Sequence, residues 1–198
     1  HGEAFFAIHG IFQRNGGLPD QVSCIQKAGV KKQIRINQKD YERISDHIGQ
    51  FPCVMVSPYD RDLINEGSDM RRKFIDAVIS QFDKAYLDSL IRYNRLLEQR
   101  NGLLKQFAER RRADRALLLL LDEQMVAPAT NINVKRQQFL EGFAPIFRHY
   151  FEFISGGNET VSIEYESQLA TTSYLELVEN AFEKDQAVRY STAGIHKD

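Results

Sequence analysis

The sequence has no tryptophan, only two cysteines and five prolines in 198 residues, and no excess of either charge. Each shortage closes a class of protein. Cys24 and Cys53 stand alone with no ligand-like spacing, which excludes a disulfide framework or a cysteine zinc site and leads us to expect a reducing, cytoplasmic setting. With 26 basic and 27 acidic residues, no global field draws the chain to nucleic acid or membrane, so any basic surface must be local. The longest apolar stretch, Ala116 to Leu121, is far short of the roughly 20 residues that a bilayer crossing needs, so no membrane association is expected. No GxxxxGK[ST] phosphate loop occurs, and without one nothing cradles the β- and γ-phosphates of a nucleotide.

The residues that are present, 42% of them hydrophobic, can bury a real core in one domain or two small ones. Up to about Pro58 the pattern is short and strand-like, as in "AFFAIHGIFQ", "QVSCIQKAG" and "KKQIRIN", and it predicts a small antiparallel sheet. "NGG" after the first run is hairpin chemistry. "PCVMVSP", dense in β-branched residues, reads as a buried strand.

From Ser68 the apolar period lengthens to between three and four. Ser68 or Asp69 can cap a first helix on which Met70, Phe74, Val78 and Ile79 share a face. Asp83 can cap a second, running to about Glu109, in which Leu87, Leu90, Asn94, Leu97, Asn101 and Leu104 form a coiled-coil seam. A further helical tract carries Ile132, Phe139, Phe143, Ile146, Phe147, Tyr150 and Ile154, with Pro128 and Pro145 expected to kink or reset it. After "SGGN", "TVSIEYES" and "AVRYSTAGI" read as strands on either side of a short helix near "SYLELVENAFEKD". The fold class expected is α+β: part of an α/β head, its mostly antiparallel sheet interrupted by an antiparallel helical arm or lid. The expected division is head at 1–66, lid at 67–155 and a return to the head at 156–198. The chain opens on His1 and stops after "STAGIHKD", and it is expected to be part of a longer protein.

Two stretches imitate ATPase signatures. "RALLLLLDEQM" has the look of an acidic catalytic strand, but its run holds no β-branched residue and its neighbours are strong helix formers, so a helix is expected, with Leu117, Leu121 and Met125 on one stripe and Asp122 and Glu123 as surface carboxylates. "ISGGNE" imitates a serine-glycine-glycine signature, which works by opening a helix towards phosphate. Its glycines follow a helix instead and read as a C-terminal cap.

Other chemistry is weaker still. Asp60, Asp62, Glu164 and Glu166 lack the accompanying [DE]-x-K of a metal nuclease and read as solvated carboxylates. His9, His47, His149 and His196 lack zinc spacing, and no nucleophile elbow is visible. The cluster Arg110, Arg111, Arg112 and Arg115 could touch DNA phosphate, though a solvated arm tip suits its acidic neighbours better. Arg71, Arg72 and Lys73 are stronger candidates for contact with DNA or a partner carboxylate. They lie in the first turn of a helix, where cations oppose the dipole and call for a counter-anion or a salt bridge.

The stretch "YERISDHIGQFPCVMVSPYDRDLINEGSDMRRKFIDAVISQFDKAYLDSLIRYNRLLEQRNGLLK", with "DEQM", "KRQQFLEGFAPIF", "YFEFISGG" and the closing "TAGIHKD" in the same order, resembles the bacterial RecF family of recombination mediators across essentially the whole chain. That resemblance implies an internal part of an ABC-type, SMC-related ATPase that dimerises on ATP and recognises gapped, junction and single-stranded DNA. It implies ATP and Mg as cofactors of the longer protein, a place in replication, recombination, repair and the SOS response, and RecO, RecR and RecA as partners. Ser57, Pro58 and Asp60 of "SPYD", and His196 and Asp198 of "GIHKD", would lie near the nucleotide. Arg71 and Arg72 would match an arginine pair at the base of the arm. No catalytic residue or metal ligand is expected in these 198 residues, and neither nucleotide binding nor turnover by them alone. "GIHKD" departs from the family's Gly-Pro-His-Arg-Asp at Ile195 and Lys197, leucines replace a tryptophan before "DEQ", and Pro128 is unusual. The alternative is a non-enzymatic helical interaction or DNA-binding module that shares only the scaffold.

Overall fold

The computed structural model describes residues 4–13, 16–110 and 114–198. They form two compact units, divided between Met55 and Val56. The first is a four-stranded antiparallel sheet in sequence order: β1 (Phe5–Phe12), β2 (Asp20–Lys27), β3 (Gln33–Ile36) and β4 (Lys39–Asp40). In β1 and β2, Phe5 faces Lys27 and Phe12 faces Asp20, so the two are joined as a hairpin. Of the expected "NGG" turn, Asn15 lies outside the described residues, while Gly16 has the positive φ (73°) that such a turn uses. β3 and β4 are joined by Asn37 and Gln38, both left-handed (φ 49° and 68°). Asn37 offsets that conformation with its side chain, accepting from Gln21 N–H (2.9 Å) and donating to Asp20 Oδ1 (2.7 Å). Phe12 stacks on Phe51 at 4.4 Å between ring centroids.

"PCVMVSP" is not a buried strand. Val54 and Val56 are 93% and 86% exposed, in chain with no ladder partner among the described residues. Apolar density marked the stretch as strand-forming, but a strand also needs an edge to pair with.

The second unit is helical: α1 (Asp62–Asn65), α2 (Ser68–Ser80), α3 (Lys84–Arg110), α4 (Arg115–Ser155) and α5 (Tyr174–Val188). Gly67, rather than Ser68 or Asp69, stands at the N-cap of α2. Asp83 caps α3 as expected, its carboxylate accepting from Tyr86 N–H at 2.9 Å. α3 and α4 run antiparallel, as the order of their cross-links shows: Asp83 to Lys135, Ser89 to Asn131, Arg100 to Asp122. The core gathers Ile79, Tyr86, Tyr93, Leu96, Met125, Ala129, Ile132, Tyr174, Val178 and Ile195, and towards the loop end Leu104, Phe107, Leu118 and Phe182. No helix among the described residues is long and apolar enough to cross a membrane.

Both arm seams keep part of their expected frame and gain buried positions beside it. Along α3 Leu87 and Leu104 are buried and Leu90 and Leu97 pack against the core as expected, but Asn94 faces solvent, and Tyr86, Tyr93, Arg100 and Phe107, seven residues apart, are buried as well. Along α4 the buried stripe is Leu118, Asp122, Met125, Ala129, Ile132, Arg136 and Leu140; Met125 and Ile132 are where they were expected and Leu121 and Phe139 pack against the core, while Leu117, Ile146, Tyr150 and Ile154 are exposed. Leucine content marked only part of the buried face, because the buried tyrosines, arginines and aspartate depend on partners supplied by distant segments. On α2, Ile75 and Ile79 face the core while Phe74 is exposed. Neither Pro128 nor Pro145 resets α4. Burial of Met125, Pro128, Ala129 and Ile132 on one face holds the helix across the lost N–H.

Gly156 and Gly157 end α4 in left-handed conformations (φ 63° and 75°), and Gly157 N–H donates to Glu152 O at 2.9 Å, the expected C-cap. Neither "TVSIEYES" nor "AVRYSTAGI" is a strand. The first is unpaired yet alternates, with Ile163 and Tyr165 half-buried and Ser162, Glu164 and Glu166 exposed. In the second, α5 runs on to Val188 and stops at Arg189 (φ 64°).

Candidate functional site

Beyond Arg189 the chain turns back across α3 and α4, and helix side chains take the place of a sheet neighbour for its backbone. Ser191 N–H and Oγ both donate to Asn101 Oδ1 (2.7 and 2.8 Å), and Thr192 N–H and Oγ1 both donate to Asp185 Oδ1 (2.8 and 2.7 Å). Gly194 N–H donates to Gln168 Oε1 at 3.1 Å, and Ile195 O accepts from Arg136 Nη1 at 2.7 Å. The Asp198 carboxylate accepts from Ser167 Oγ (2.7 Å) and Tyr165 OH (3.0 Å), while its main-chain oxygen accepts from Arg72. Burial, then the nearby Asp198 charge, pushes the Tyr165 phenol up to about 12, so it remains a donor at neutral pH.

Behind this segment lies a buried charge cluster. Arg100 donates from Nε to Asp122 Oδ1 (2.7 Å) and from Nη1 to Asp185 Oδ2 (2.6 Å) and Ser191 Oγ (2.9 Å). Asp122 is therefore not a surface carboxylate, and only Glu123 is exposed as expected. Burial raises the Asp122 carboxyl above its ordinary range despite its bond to Arg100. Arg136 forms a second pair, two-pronged, with Asp76. Its guanidinium is pulled below its usual value by burial and raised further above it by Asp76, so it stays charged.

His196 sits between Tyr93 and the chain itself. Nε2 lies 3.2 Å from Ser191 O, which can only accept, so Nε2 carries the proton and Nδ1 accepts from Tyr93 OH at 2.9 Å. Burial lowers the ring's pKa, which keeps the imidazole neutral, and holds the Tyr93 phenol well above its ordinary value.

Beside Asp198 a cavity of about 380 Å³ opens between α2, α4 and the 162–166 stretch, lined by Arg71, Arg72, Arg136, Glu164, Tyr165 and Glu166 among others. Arg72 and Asp198, expected separately as a contact residue and a nucleotide neighbour, thus meet on one wall. Arg71 is bent back onto the carbonyls of Leu63 and Glu66 (3.1 and 3.0 Å). Lys73 extends outward and pairs with Asp69 at 2.6 Å, which holds the Asp69 carboxyl below its usual range. Ser57, Pro58 and Asp60 form a 3₁₀ turn closed by a capping box in which Ser57 N–H donates to Asp60 Oδ2 at 2.8 Å. Arg110 is exposed at the end of α3, and Arg111 and Arg112 lie outside the described residues. Among the described residues no cluster of three or more His, Cys, Asp or Glu could hold a metal ion.

Gly156 and Gly157 stand at the carbonyl end of α4, which repels phosphate. The amide ends of α4 and α5 are answered by Asp114 and Ser173. The cavity beside Asp198 is of mixed charge, with Arg72 and Arg136 hydrogen-bonded within the chain. Its chemistry is that of holding segments in place. Sequence reading located His196, Asp198 and Arg72 but missed Arg136, Tyr93, Gln168 and Asp185. Arg136 did carry a signal, a lone cation at helical spacing among apolar residues.

The chain is 44% identical over 198 residues to DNA replication and repair protein RecF of Bacteroides thetaiotaomicron, matching 100% of itself and 53% of that protein. It is 45% identical to the protein of the same name from Flavobacterium johnsoniae (100% and 55% covered). It is 36% identical over 197 residues to that of Cytophaga hutchinsonii (100% and 52%). The chain spans about half the length of the curated relatives it matches. No family model matches it. Its fold is similar to that of the recombination mediator protein RecF-ATPrS in the RecFOR pathway, with a TM-score of 0.88 and 26% identity over 100% of this chain and 55% of that one. It is also similar to RecF-ATP of that pathway, with a TM-score of 0.84 and 26% identity over 98% and 54%.

Proposed function

The chain is RecF-type sequence from end to end, and from that premise we propose that it forms the lid and adjoining head of a DNA repair, replication and recombination ATPase. The end-to-end match in sequence and fold carries this reading and favours it over a module that shares only the scaffold. In the proposal, residues 1–66 and 156–198 belong with the head and 67–155 with the lid. The longer protein is an ABC-type, SMC-related cytoplasmic enzyme that uses ATP and Mg, dimerises on ATP, binds gapped, junction and single-stranded DNA, and acts with RecO and RecR to load RecA, including during the SOS response. Phosphate-binding and catalytic groups come from outside this chain, and no catalytic step is assigned to its residues.

Within the chain, Ser57, Pro58, Asp60, His196 and Asp198 face the nucleotide. Their hydrogen bonds support a holding role: the capping box stiffens the Ser57–Asp60 turn, and Arg72, Tyr165 and Ser167 fix Asp198. Of the three basic residues on α2, Arg71 and Lys73 are exposed, but Arg71 is tied to the Leu63 and Glu66 carbonyls, which leaves Lys73 as the candidate for a DNA phosphate or a partner carboxylate.

The test uses a RecF-length protein carrying these residues, with fluorescence anisotropy on gapped and uniform duplex DNA, with and without ATP and Mg. ATP should tighten binding to gapped DNA, and residues 1–198 alone should turn over no ATP. DNA binding indifferent to ATP, or hydrolysis by the 198 residues, overturns the proposal.

A further inference from the structure

Arg71 and Arg72 are neighbours on α2, so their side chains leave the helix about 100° apart and cannot serve the same contact. Arg71 reaches back, its Nη1 donating to the carbonyls of Leu63 and Glu66 at the end of α1. α1 continues directly from the Ser57–Asp60 turn. Arg72 makes a different set of bonds, donating to Ser68 Oγ (2.7 Å) and to the main-chain oxygen of Asp198, 126 positions on. Its side chain is 14% exposed, a poor posture for meeting a DNA backbone. Arg136 adds a second grip on the same closing segment at Ile195 O.

We propose that Arg71 and Arg72 are one two-armed positioning element that couples the Ser57–Asp60 turn to the Gly194–Asp198 segment through the first turn of α2, and that neither is a DNA phosphate contact. A helical turn is stiff, so a displacement imposed on one arm is passed to the other rather than absorbed between them. The two segments are 134 to 141 positions apart in sequence, and α2 is the element that holds both. The coupling rests on these bonds. Only its use, carrying nucleotide occupancy from one segment to the other, rests on the function proposed above.

The test is amide hydrogen exchange on the RecF-length protein, comparing wild type with Arg71→Ala and Arg72→Ala. Without nucleotide, each substitution should speed exchange roughly tenfold in both the 57–66 and the 194–198 stretch, since a charge-assisted bond is lost at one and its effect carried to the other. Faster exchange confined to the stretch each arginine touches overturns the coupling. If Arg72→Ala does not fold, Arg72→Gln removes the charge with less loss of packing. In wild type, ATP should protect both stretches, and in either variant only one. If ATP protects neither in wild type, the nucleotide reading fails while the nucleotide-free comparison still decides the coupling. The salt dependence of DNA binding should be the same in both variants as in wild type, and a slope lower by about one per arginine would make them phosphate contacts and overturn the proposal.

Discussion

Arg136 and Asp76 meet as two parallel bonds, Nε to Oδ1 and Nη2 to Oδ2, both 2.9 Å, while the third nitrogen, Nη1, holds Ile195 O. Tyr86 OH also donates to Asp76, so one carboxylate ties α2 to α3 and α4 and orients the arginine that grips the closing segment.

Asp76→Ala should therefore cost about 3–5 kcal/mol, because it leaves Arg136 buried and charged without its partner. Urea denaturation of the wild type and variant measures the difference. A loss under about 1 kcal/mol, the range of exposed pairs, would contradict the arrangement.

Stability should fall on acidification through His196. Its folded pKa lies below the ordinary 6.5, so unfolding takes up a proton once the pH drops beneath that value. The ring's contribution is complete above pH 6.5 and is lost as the pH falls through the folded pKa. His47, lowered by burial as well, acts in the same direction, so the comparison uses His196→Gln. The slope of unfolding free energy against pH between neutrality and pH 5 should be shallower in this variant, and an unchanged slope would remove His196 from the acid response.

Gly194 is held at φ 119°, and a Cβ there would lie 2.7 Å from the Tyr93 hydroxyl and 3.3 Å from His196 Nδ1. Gly194→Ala should destabilise by about 1–3 kcal/mol and push Tyr93 and His196 apart. With the ring freed, its pKa should climb back towards 6.5, read by NMR titration of the imidazole. A ring that titrates as in wild type would show that the close approach at Gly194 does not hold it.

What could be read in the sequence was local. Asp83 as a cap, Gly156 as a helix stop and the short strands up to Asp40 depend on the chemistry of adjacent residues, and the structure agrees with each. "TVSIEYES" shows the limit of such reading: its alternation matches the half-burial of Ile163 and Tyr165, yet no strand pairs there among the described residues. What could not be read depended on distant partners. Tyr93, Arg100 and Asp122 look like surface residues until His196, Asp185 and Ser191 arrive from the far end of the chain, and those partners decide which face of the arm is buried. For the same reason His196 and Asp198 stood out where a motif marked them, and the unmarked side chains that hold that motif in place did not.

α3, at 27 residues, is about 40 Å long and is anchored at its start beside the segments that Arg72 and Arg136 hold. A rotation of about 5° at the base sweeps Arg110 through about 3.5 Å, a step on the scale of the spacing between base pairs. The tightness of a few hydrogen bonds around Asp76 and Asp198 therefore sets how accurately the far tip of the arm can be aimed.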